Sequence, residues 1–421
     1  MKNKIKVLTI GDHPLAFSGV GTQTKYMIQA LLDSGKFEVI SLGGALDHDS
    51  MNPVKTEEYG DLWTIYPVRG SGAQDMIRSI IRTEKPDILW FMTDPRFWDW
   101  LWMMDNEIRG LIPMVYYHVW DNYPLPKYNK KFYQSNDHIV TISKVTDDIV
   151  KNVSPDVPST YIPHAIDPDL FYKTNMTKQE IRDTKVLRGL DPNKKMFFWN
   201  SRNARRKQSG SLIFWFKDFL DEVGHDKAQL VMHTNTKDPN GQDLDHIIEE
   251  LELTDGQVLF SRNSLVAEDL RELYNMADCT VCVSDAEGFG LSTLESLACG
   301  TPIITTLTGG PQEQVTDGEN WFGIGLEPAS KAIIGSQDIP YIYEDRLSGE
   351  DVKNALIEML NKTEEEMQEL SEAGLGHIER NYNFKDFRSS WVDLMSGIYQ
   401  ELGSWDTRKN YKPWRVMEVT K

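Results

Sequence analysis

Short β-branched runs alternate with amphipathic helical segments along most of the chain, and this alternation is typical of parallel βαβ units. The strands predicted in the first half are Lys6–Ile10, Glu38–Leu42, Ile88–Phe91, Met114–Tyr117, His138–Ile142 and Thr160–Ile162. A second series is predicted at Met196–Asn200, Gln229–His233, Val258–Phe260, Thr280–Ser284 and Ile303–Thr306. The pattern predicts an α/β fold with two Rossmann-like, doubly wound parallel sheets.

The two series are separated by residues 164–195, which are rich in Asp, Lys, Thr and Pro and contain no predicted strand. We place the domain linker there. The predicted domains are residues 1–175, completed by the C-terminal helix and tail at about 386–421, and residues 192–385. Two such sheets place a ligand in the cleft between them.

The amino-acid composition excludes several classes of function. The chain has 421 residues and a net charge of −19, which argues against a broad nucleic-acid surface because phosphate binding needs a positive face. No apolar run reaches the roughly 18–20 residues of a membrane span, and the N-terminus has no signal-peptide pattern. Three cysteines form no disulfide framework. We therefore expect a cytoplasmic enzyme without stable membrane insertion, with homo-oligomerisation left open.

The most informative motif runs from Ser284 to Glu295, SDAEGFGLSTLE, at the end of a predicted strand. Gly288 and Gly290 form a turn before a helix whose free amides favour a diphosphate. Two carboxylates, Glu287 and Glu295, flank the turn eight residues apart, a spacing that suits the two ends of a nucleotide sugar. Exposed acids favoured by the helix dipole explain the local pattern equally well.

The surrounding residues favour the functional interpretation. Thr305-Thr306 precede Gly309-Gly310, Ala277-Asp278 lead into the strand before the motif, and Thr141-Ile142-Ser143 close the first domain. With the E-x7-E element these features resemble the family-4 type (group 1) retaining glycosyltransferases, which have the GT-B fold. The resemblance covers most of the chain.

The resemblance implies roles by position. Glu287 would contact the transferred sugar and Glu295 the ribose. The turn and the helix start, from Gly288 through Phe289, Gly290 and Leu291 to Ser292, would bind the donor.

A basic loop follows the first strand of the second domain, with four cations within six residues, Arg202 to Lys207. By resemblance Arg202 and Lys207 clamp the leaving diphosphate, where the reaction needs positive charge most. The cluster itself favours an anion site over a solvated loop.

Two elements of the first domain resemble the same family. Gly19 and Gly21 form a glycine-rich loop after the first strand that would approach the donor phosphates, although it lacks the dinucleotide spacing. His118 ends a predicted strand and would point at the donor sugar. A lone His is more often structural, but this position at a carboxyl end favours ligand contact. The family's linker Gly is Ala165 here, which puts the hinge geometry in question.

We therefore expect a retaining, metal-independent glycosyltransferase that uses a nucleotide diphosphate sugar, UDP-linked by default, and no cofactor. The acceptor expected is a glycan or glycolipid, with a modified base in viral DNA as an alternative. The rival classes are a nucleotide-sugar epimerase or hydrolase and a non-catalytic nucleotide-sugar-binding module.

Several other features are interpreted as structural. Cys279 and Cys282 alternate on a strand, so they do not form a metal site. The D-x-D pairs at residues 47–49, 167–169 and 243–245 are interpreted as surface. The tryptophan-rich segment 90–102 is expected to be mostly core, with an aromatic wall for an acceptor as the alternative. The basic, aromatic tail is expected to strap the last helix to the first domain; membrane or nucleic-acid binding is the alternative.

Overall fold

A computed structural model describes residues 4–46 and 50–414 of the chain. They divide into two compact units. Unit 1 comprises the described residues of Met1–Trp120, Leu125–Ala165 and Lys385–Lys421, and unit 2 comprises Asp121–Pro124 and Ile166–Phe384.

Unit 1 alternates strands with helices in chain order. Its elements are β1 (Ile5–Asp12), α1 (Gly19–Asp33), β2 (Phe37–Gly44), β3 (Val54–Lys55), β4 (Trp63–Pro67), α2 (Gln74–Glu84), β5 (Ile88–Thr93), α3 (Asp99–Trp102), α4 (Asp105–Arg109), β6 (Met114–His118), α5 (Lys130–Gln134), β7 (His138–Thr141), α6 (Lys144–Val153) and β8 (Ser159–Tyr161). The last helix of the chain, α15 (Phe384–Leu402), lies almost wholly in this unit.

Eight strands form the sheet of unit 1 in the order β3-β4-β2-β1-β5-β6-β7-β8. All pairs are parallel except β3 with β4, where Val54 lies opposite Ile65. The order reverses between β1 and β5, so the loops that leave these two strands diverge at the carboxyl edge. Ligands of open α/β sheets bind at such a reversal, the topological switch point.

Unit 2 carries the second series. Its elements are α7 (Lys178–Leu187), β9 (Lys195–Asn200), α8 (Ser209–Val223), β10 (Ala228–His233), α9 (Leu244–Glu250), β11 (Val258–Ser261), α10 (Ala267–Met276), β12 (Cys279–Cys282), α11 (Leu291–Ala298), β13 (Ile303–Thr306), α12 (Pro311–Val315), β14 (Gly323–Leu326), β15 (Ser330–Ile334), β16 (Ile342–Arg346), α13 (Gly349–Asn361) and α14 (Glu364–Asn381).

The main sheet of unit 2 has six parallel strands in the order β11-β10-β9-β12-β13-β14. Its switch point lies between β9 and β12, where Phe197 pairs with Cys279. The fully buried side chains Phe197, Phe216 and Phe219 pack α8 against this sheet. A separate antiparallel hairpin, β15–β16, pairs Ser330 with Arg346.

Every strand predicted from the sequence is present within a few residues of its predicted bounds. The sequence analysis missed β3, β4, β14 and the hairpin. Residues 164–195, interpreted as a strand-free linker, contain α7, which belongs to unit 2. A capping box fixes the start of this helix, since Thr177 Oγ1 accepts from the amide of Glu180 and the Glu180 carboxylate accepts from the amide of Thr177.

The tryptophan-rich segment of unit 1 is largely core, as predicted. Trp90, Phe91, Trp98 and Trp102 are at most 4% exposed, whereas Phe97 is 49% exposed. Phe91 contacts both Trp98 and Trp102 edge to face. These rings therefore act as packing between the sheet and its helices.

The described part of the tail packs on unit 1, as expected. The Arg408 side chain is 3% exposed and its guanidinium lies 2.6 Å from the Asp137 carboxylate. The Trp405 indole donates to the Pro86 carbonyl, and the Tyr411 hydroxyl donates to Asn106. These contacts tie residues 404–414 to the sheet that α15 covers. Arg415 of the basic tail lies outside the described residues.

Candidate functional site

The candidate site of unit 2 is formed by the two loops at its switch point. The loop after β9 carries the basic residues 202–207, and the loop after β12 carries Glu287 and the glycine turn. Because β9 and β12 are parallel neighbours, their carboxyl ends lie at the same edge. Residues that are about 80 positions apart in the chain therefore meet, as the amide of Asp285 donating to the Arg206 carbonyl shows.

The glycine turn is held by close backbone packing. Gly290 has a φ of +85°, and Gly309, with a φ of +50°, lies so near the Glu287 carbonyl that a Cβ would be 1.8 Å from its oxygen. A Cβ on Gly310 would lie 2.5 Å from the Phe289 carbonyl oxygen. Only glycine fits these close approaches, so the Gly309-Gly310 pair shapes the turn that carries Glu287.

Helix α11 begins directly after the turn. The first i to i−4 bond runs from the amide of Leu294 to the carbonyl of Gly290, so the amides of Leu291, Ser292 and Thr293 precede the regular ladder. Leu291 and Ser292 are half-buried, whereas Phe289 is 4% exposed and packs edge to face on Tyr382. The turn therefore offers backbone amides to an anion, while the side chain of Phe289 belongs to the core.

Lys207 and Glu287, predicted to act in catalysis, form an ion pair with each other. Their side chains are 12% and 14% exposed. Burial, together with the positive charge of Arg206, lowers the pKa of Lys207 to about 7. The ammonium is therefore poorly solvated, and it depends on a nearby negative charge to remain protonated.

The other cations of the basic loop have different carboxylate partners. Arg202 donates two hydrogen bonds of 2.6 and 3.1 Å to the Asp238 carboxylate, and the Arg202 side chain is 64% exposed. Arg205 forms a bidentate pair with Glu344, and Arg206 donates to the Ala286 carbonyl at 2.6 Å. The structure thus places Lys207 and Arg206 beside Glu287, and Arg202 on the Asp238 loop.

A buried ionic network joins this site to the β15–β16 hairpin, which the sequence analysis missed. Arg346 contacts both Asp285 and Glu344, whose side chains are 3% and 5% exposed. Gln208 also donates to Asp285, and burial raises the pKa of that carboxyl. Since Glu344 also binds Arg205, the hairpin holds the two loops of the switch point together. The sequence signal available was Asp285, an acid three residues after the buried strand β12.

Glu295 lies one turn into α11, and its Oε2 accepts a 2.7 Å hydrogen bond from the Tyr274 hydroxyl. Asn200, at the end of β9, donates to the same hydroxyl. Burial raises the pKa of Glu295 to about 7, and the bond from Tyr274 opposes this shift. The carboxylate is thus oriented by Tyr274 of α10, which Asn200 of β9 holds in place, and the described residues show no hydrogen bond to its other oxygen.

Unit 1 places its glycine-rich loop at its own switch point, after β1. Ser18 caps α1 by accepting from the amide of Gly21, and its hydroxyl donates to Asp12 at 2.7 Å. A Cβ on Gly21 would lie 2.8 Å from the His13 carbonyl oxygen, while Gly19 is exposed. Burial raises the pKa of Asp12. Asp12, an acid that ends the first strand, is a candidate that the sequence analysis did not select.

His118 lies at the carboxyl end of β6, as predicted, but its ring belongs to the core of unit 1. It is 0% exposed, and its two ring nitrogens hydrogen-bond to the hydroxyls of Tyr116 and Tyr133 at 3.0 and 2.8 Å. Burial lowers its pKa to about 3, so the imidazole is neutral. The expectation that His118 points at a donor sugar disagrees with this placement, because neither nitrogen is left for a ligand.

Within residues 4–46 and 50–414, no group of three or more His, Cys, Asp or Glu side chains is arranged to hold a metal ion. Of the D-x-D pairs, residues 47–49 lie outside the described residues. Asp245 binds Arg262 at 2.6 Å, and Asp243 caps α9. No helix in the described part of the chain is long and apolar enough to cross a membrane.

Comparison with known proteins finds similarities to unit 2 and to the whole chain. Residues 182–374, all within unit 2, match the family model described as glycosyl transferases group 1. Unit 2 is therefore similar to group 1 glycosyl transferases over these residues. A D-inositol 3-phosphate glycosyltransferase from Paenarthrobacter aurescens is 29% identical over 177 residues, which cover 41% of each protein. The chain thus matches less than half the length of this relative.

Solved structures resemble the chain over nearly its full length. Sucrose-phosphate synthase from Thermosynechococcus elongatus superposes with a TM-score of 0.75 and 15% identity, covering 94% of this chain and all of that one. HepE from Anabaena in complex with UDP-glucose gives a TM-score of 0.67 and 13% identity, covering 93% of this chain and all of that one. With its two parallel-sheet α/β units, the chain has the GT-B fold.

The raised pKa of Glu295 predicts a pH-dependent contribution to stability. Its pKa is about 7 in the fold against 4.5 as the ordinary value, so the folded chain binds the extra proton. The associated stability is present below about pH 4.5 and lost as the pH rises through 7, at most about 3 kcal/mol. As the pH rises from 4.5 to 7, we expect the free energy of unfolding of Glu295→Gln to increase by this amount relative to that of the parent chain.

Urea unfolding of both proteins across this range measures the difference. Lys207, whose pKa is also near 7, is present in both proteins, so its titration cancels to first order. A difference that stays constant with pH would contradict the assignment of the raised pKa to Glu295.

Proposed function

We propose that the chain is a metal-independent, retaining glycosyltransferase of the family-4 type. It transfers a sugar from a nucleotide diphosphate sugar, UDP-linked by default, to a glycan or glycolipid. The observation that carries the proposal is the convergence of Glu287, Glu295, Lys207 and the open start of α11 at the switch point of a unit that is similar to group 1 glycosyl transferases.

The diphosphate is assigned to the start of α11 and to the basic loop. The amides of Leu291 and Ser292 supply hydrogen bonds and the positive end of the helix dipole. Lys207 is the buried cation nearest to Glu287, and Arg202 is an exposed guanidinium whose fork fits two phosphate oxygens. As the glycosidic bond breaks, negative charge grows on the leaving phosphate, and these cations stabilise it.

The ribose is assigned to Glu295. A carboxylate can accept from both hydroxyls of a ribose diol, and Tyr274 uses only one oxygen of Glu295. The Tyr274 hydroxyl, held by Asn200, fixes the direction of the remaining acceptor. This arrangement supports a nucleotide whose sugar lies over α11.

The transferred sugar is assigned to Glu287, which pairs with Lys207. Donor binding exchanges this ion pair, because Lys207 gains the diphosphate and Glu287 gains sugar hydroxyls. The exchange keeps the buried ammonium next to negative charge throughout, so its charge is never left uncompensated. No nucleophilic carboxylate pair is needed if the leaving diphosphate takes the acceptor proton on the same face.

The nature of the acceptor rests on the relatives and on unit 1. The inositol 3-phosphate named for the Paenarthrobacter aurescens protein is a polyol acceptor. In unit 1, Asp12 at the switch point is a half-buried carboxyl that suits a hydroxyl group. The neighbouring Phe17 is 90% exposed, which suits an apolar part of a glycolipid. The DNA alternative loses support, because Arg408 and Tyr411 of the tail hold the fold of unit 1 together.

Turnover of the donor distinguishes transfer from its rivals. We expect slow consumption of a UDP-sugar by the chain alone and a large acceleration with the right acceptor, giving a product with the anomeric configuration of the donor. Nuclear magnetic resonance of the product reports that configuration. Full-rate turnover without acceptor indicates an epimerase or hydrolase, and binding without turnover indicates a binding module.

The assignment of Lys207 and Arg202 to the leaving diphosphate predicts that their removal lowers kcat. Lys207→Ala or Arg202→Ala should lower kcat on the order of 10²-fold with a smaller change in donor KM, because the charge they meet develops in the transition state. Steady-state kinetics with varied donor measures both constants.

Lys237→Ala is the matched control. Lys237 is exposed in the loop after β10, where it pairs with Asp243, so this change removes one positive charge near the same edge. Arg205 and Arg206 are unsuitable controls because they bind Glu344 and the Ala286 carbonyl. Equal weakening of donor binding with kcat intact in all variants would mean that the loop only attracts anions.

Metal independence predicts that sugar transfer survives exhaustive chelation with EDTA. The α11 amides, Lys207 and Arg202 provide the charge that a divalent ion supplies in other glycosyltransferases. Transfer rates before and after chelation, and after adding Mg²⁺ or Mn²⁺, measure this. Loss of activity with chelator and its return with metal would contradict the proposal.

A further inference from the structure

Unit 2 contains a cavity of about 900 Å³ at the edge of its sheet opposite the candidate site. Its wall includes Lys195 at the start of β9, Asp278 directly before β12 and Pro302 directly before β13. These strands are parallel, so their amino ends share one edge and their carboxyl ends, with Lys207 and Gly290, share the other. The cavity is therefore separate from the proposed donor site.

The cavity is positively charged although the chain carries a net charge of −19. Four carboxylates contribute to its wall, from Asp278, Glu364, Glu365 and Glu369. Six cations contribute, from Lys173, Lys178, Arg182, Lys185, Lys194 and Lys195. A local excess of positive charge in an acidic protein favours an anionic ligand.

Lys185 is the most unusual of these cations. It is the single buried residue of α7, at 5% exposure, on a helix whose residues are all described. Its ammonium lies 3.5 Å from the Asp278 carboxylate and 3.5 Å from the Lys194 carbonyl, both longer than an ordinary hydrogen bond. Asp278 is already engaged by Lys195 and by the amide of Met196 at 2.9 and 2.8 Å. A buried ammonium with three donors is thus short of close acceptors.

Two further cations of the wall have neutral partners. Lys173 donates to the Ser371 hydroxyl at 3.0 Å, and Arg182 donates to the Asn193 side-chain carbonyl at 2.8 Å. Lys178, in contrast, is neutralised by Glu364 at 2.6 Å. Lys173, Arg182 and Lys185 therefore keep positive charge that an anion can use.

The rest of the wall suits a small polyol rather than a bare anion. Met176, Ile181 and Met367 form an apolar surface. Glu365 and Glu369 are exposed and offer carboxylate acceptors for hydroxyl groups. Phosphate and hydroxyl groups on one molecule would satisfy both kinds of group.

We propose that this cavity is a second ligand site that binds a small phosphorylated sugar. The phosphate contacts Lys185, Lys173 and Arg182, and the hydroxyls contact the acceptors of the opposite wall. The proposal does not depend on the glycosyltransferase activity, because it rests on residues at the other edge of the sheet.

Calorimetric titration of the full chain with ribose 5-phosphate tests the site, with ribose and inorganic phosphate as comparison ligands. We expect saturable binding of ribose 5-phosphate that is stronger than that of either fragment. Lys173→Ala and Arg182→Ala, both at exposed residues, should each weaken it about tenfold, the scale of a charged hydrogen bond. Lys185→Met should weaken it further.

Two variants serve as controls. Lys178→Ala removes a wall cation that Glu364 already neutralises, and Lys207→Ala removes a cation at the opposite edge; binding should be unchanged in both. If Lys185→Met fails to fold, Lys173→Ala and Arg182→Ala still test whether ribose 5-phosphate binds in the cavity. Absence of saturable binding, equal binding of a fragment, or a loss confined to Lys207→Ala would each overturn the proposal.

Discussion

The parallel pairing of β9 with β12 is the constraint on which the candidate site depends. It places the ends of two strands that are far apart in the chain at one edge, with divergent loops between which a ligand fits. The loop after β9 supplies the cations and the loop after β12 supplies Glu287 and the glycine turn. Each loop depends on the other for its position. Lys207 forms an ion pair with Glu287, and the amide of Asp285 donates a hydrogen bond to the carbonyl of Arg206.

The ion pairs of the site differ in how readily a ligand can replace them. Arg202 is 64% exposed, whereas the Asp238 side chain is 10% exposed. Asp238 also accepts hydrogen bonds from the amide and the side chain of Asn240, so its carboxylate keeps donors when Arg202 turns to a phosphate. The pair between Lys207 and Glu287 is mostly buried, and separating it without a substitute is expensive. The buried network of Arg346, Glu344 and Asp285 lies behind both loops and is suited to support rather than to exchange.

The sequence predicted most of the fold because strand and helix signals are local. Buried runs such as Phe197–Asn200 and the turn at Gly288–Gly290 carry their pattern within a few residues. The hairpin β15–β16 was missed because its strand β15 is mostly exposed and lacks a buried alternation. The α7 helix was missed because its residues are almost all polar, and its capping box was the available signal.

The side-chain environment of the site was less predictable, because it depends on residues distant in sequence. No sequence feature near His118 indicates that its Nε2 atom forms a hydrogen bond with the Tyr133 hydroxyl. Likewise, the partner of Arg205 is Glu344, 139 residues away. Sequence reasoning identified the polar residues at the strand ends. Tertiary packing determines which of them form hydrogen bonds within the protein and which are available to a ligand.

Helix α11 connects the two ligand sites inferred for unit 2. It begins at Gly290, where its open amides face the proposed diphosphate, and the cavity wall contains Cys299 and Gly300 directly after its last residue. Its eight helical residues span about 12 Å. Because Glu295 lies on the same helix, a ligand in the cavity that displaced α11 as a whole would also displace the carboxylate assigned to the ribose.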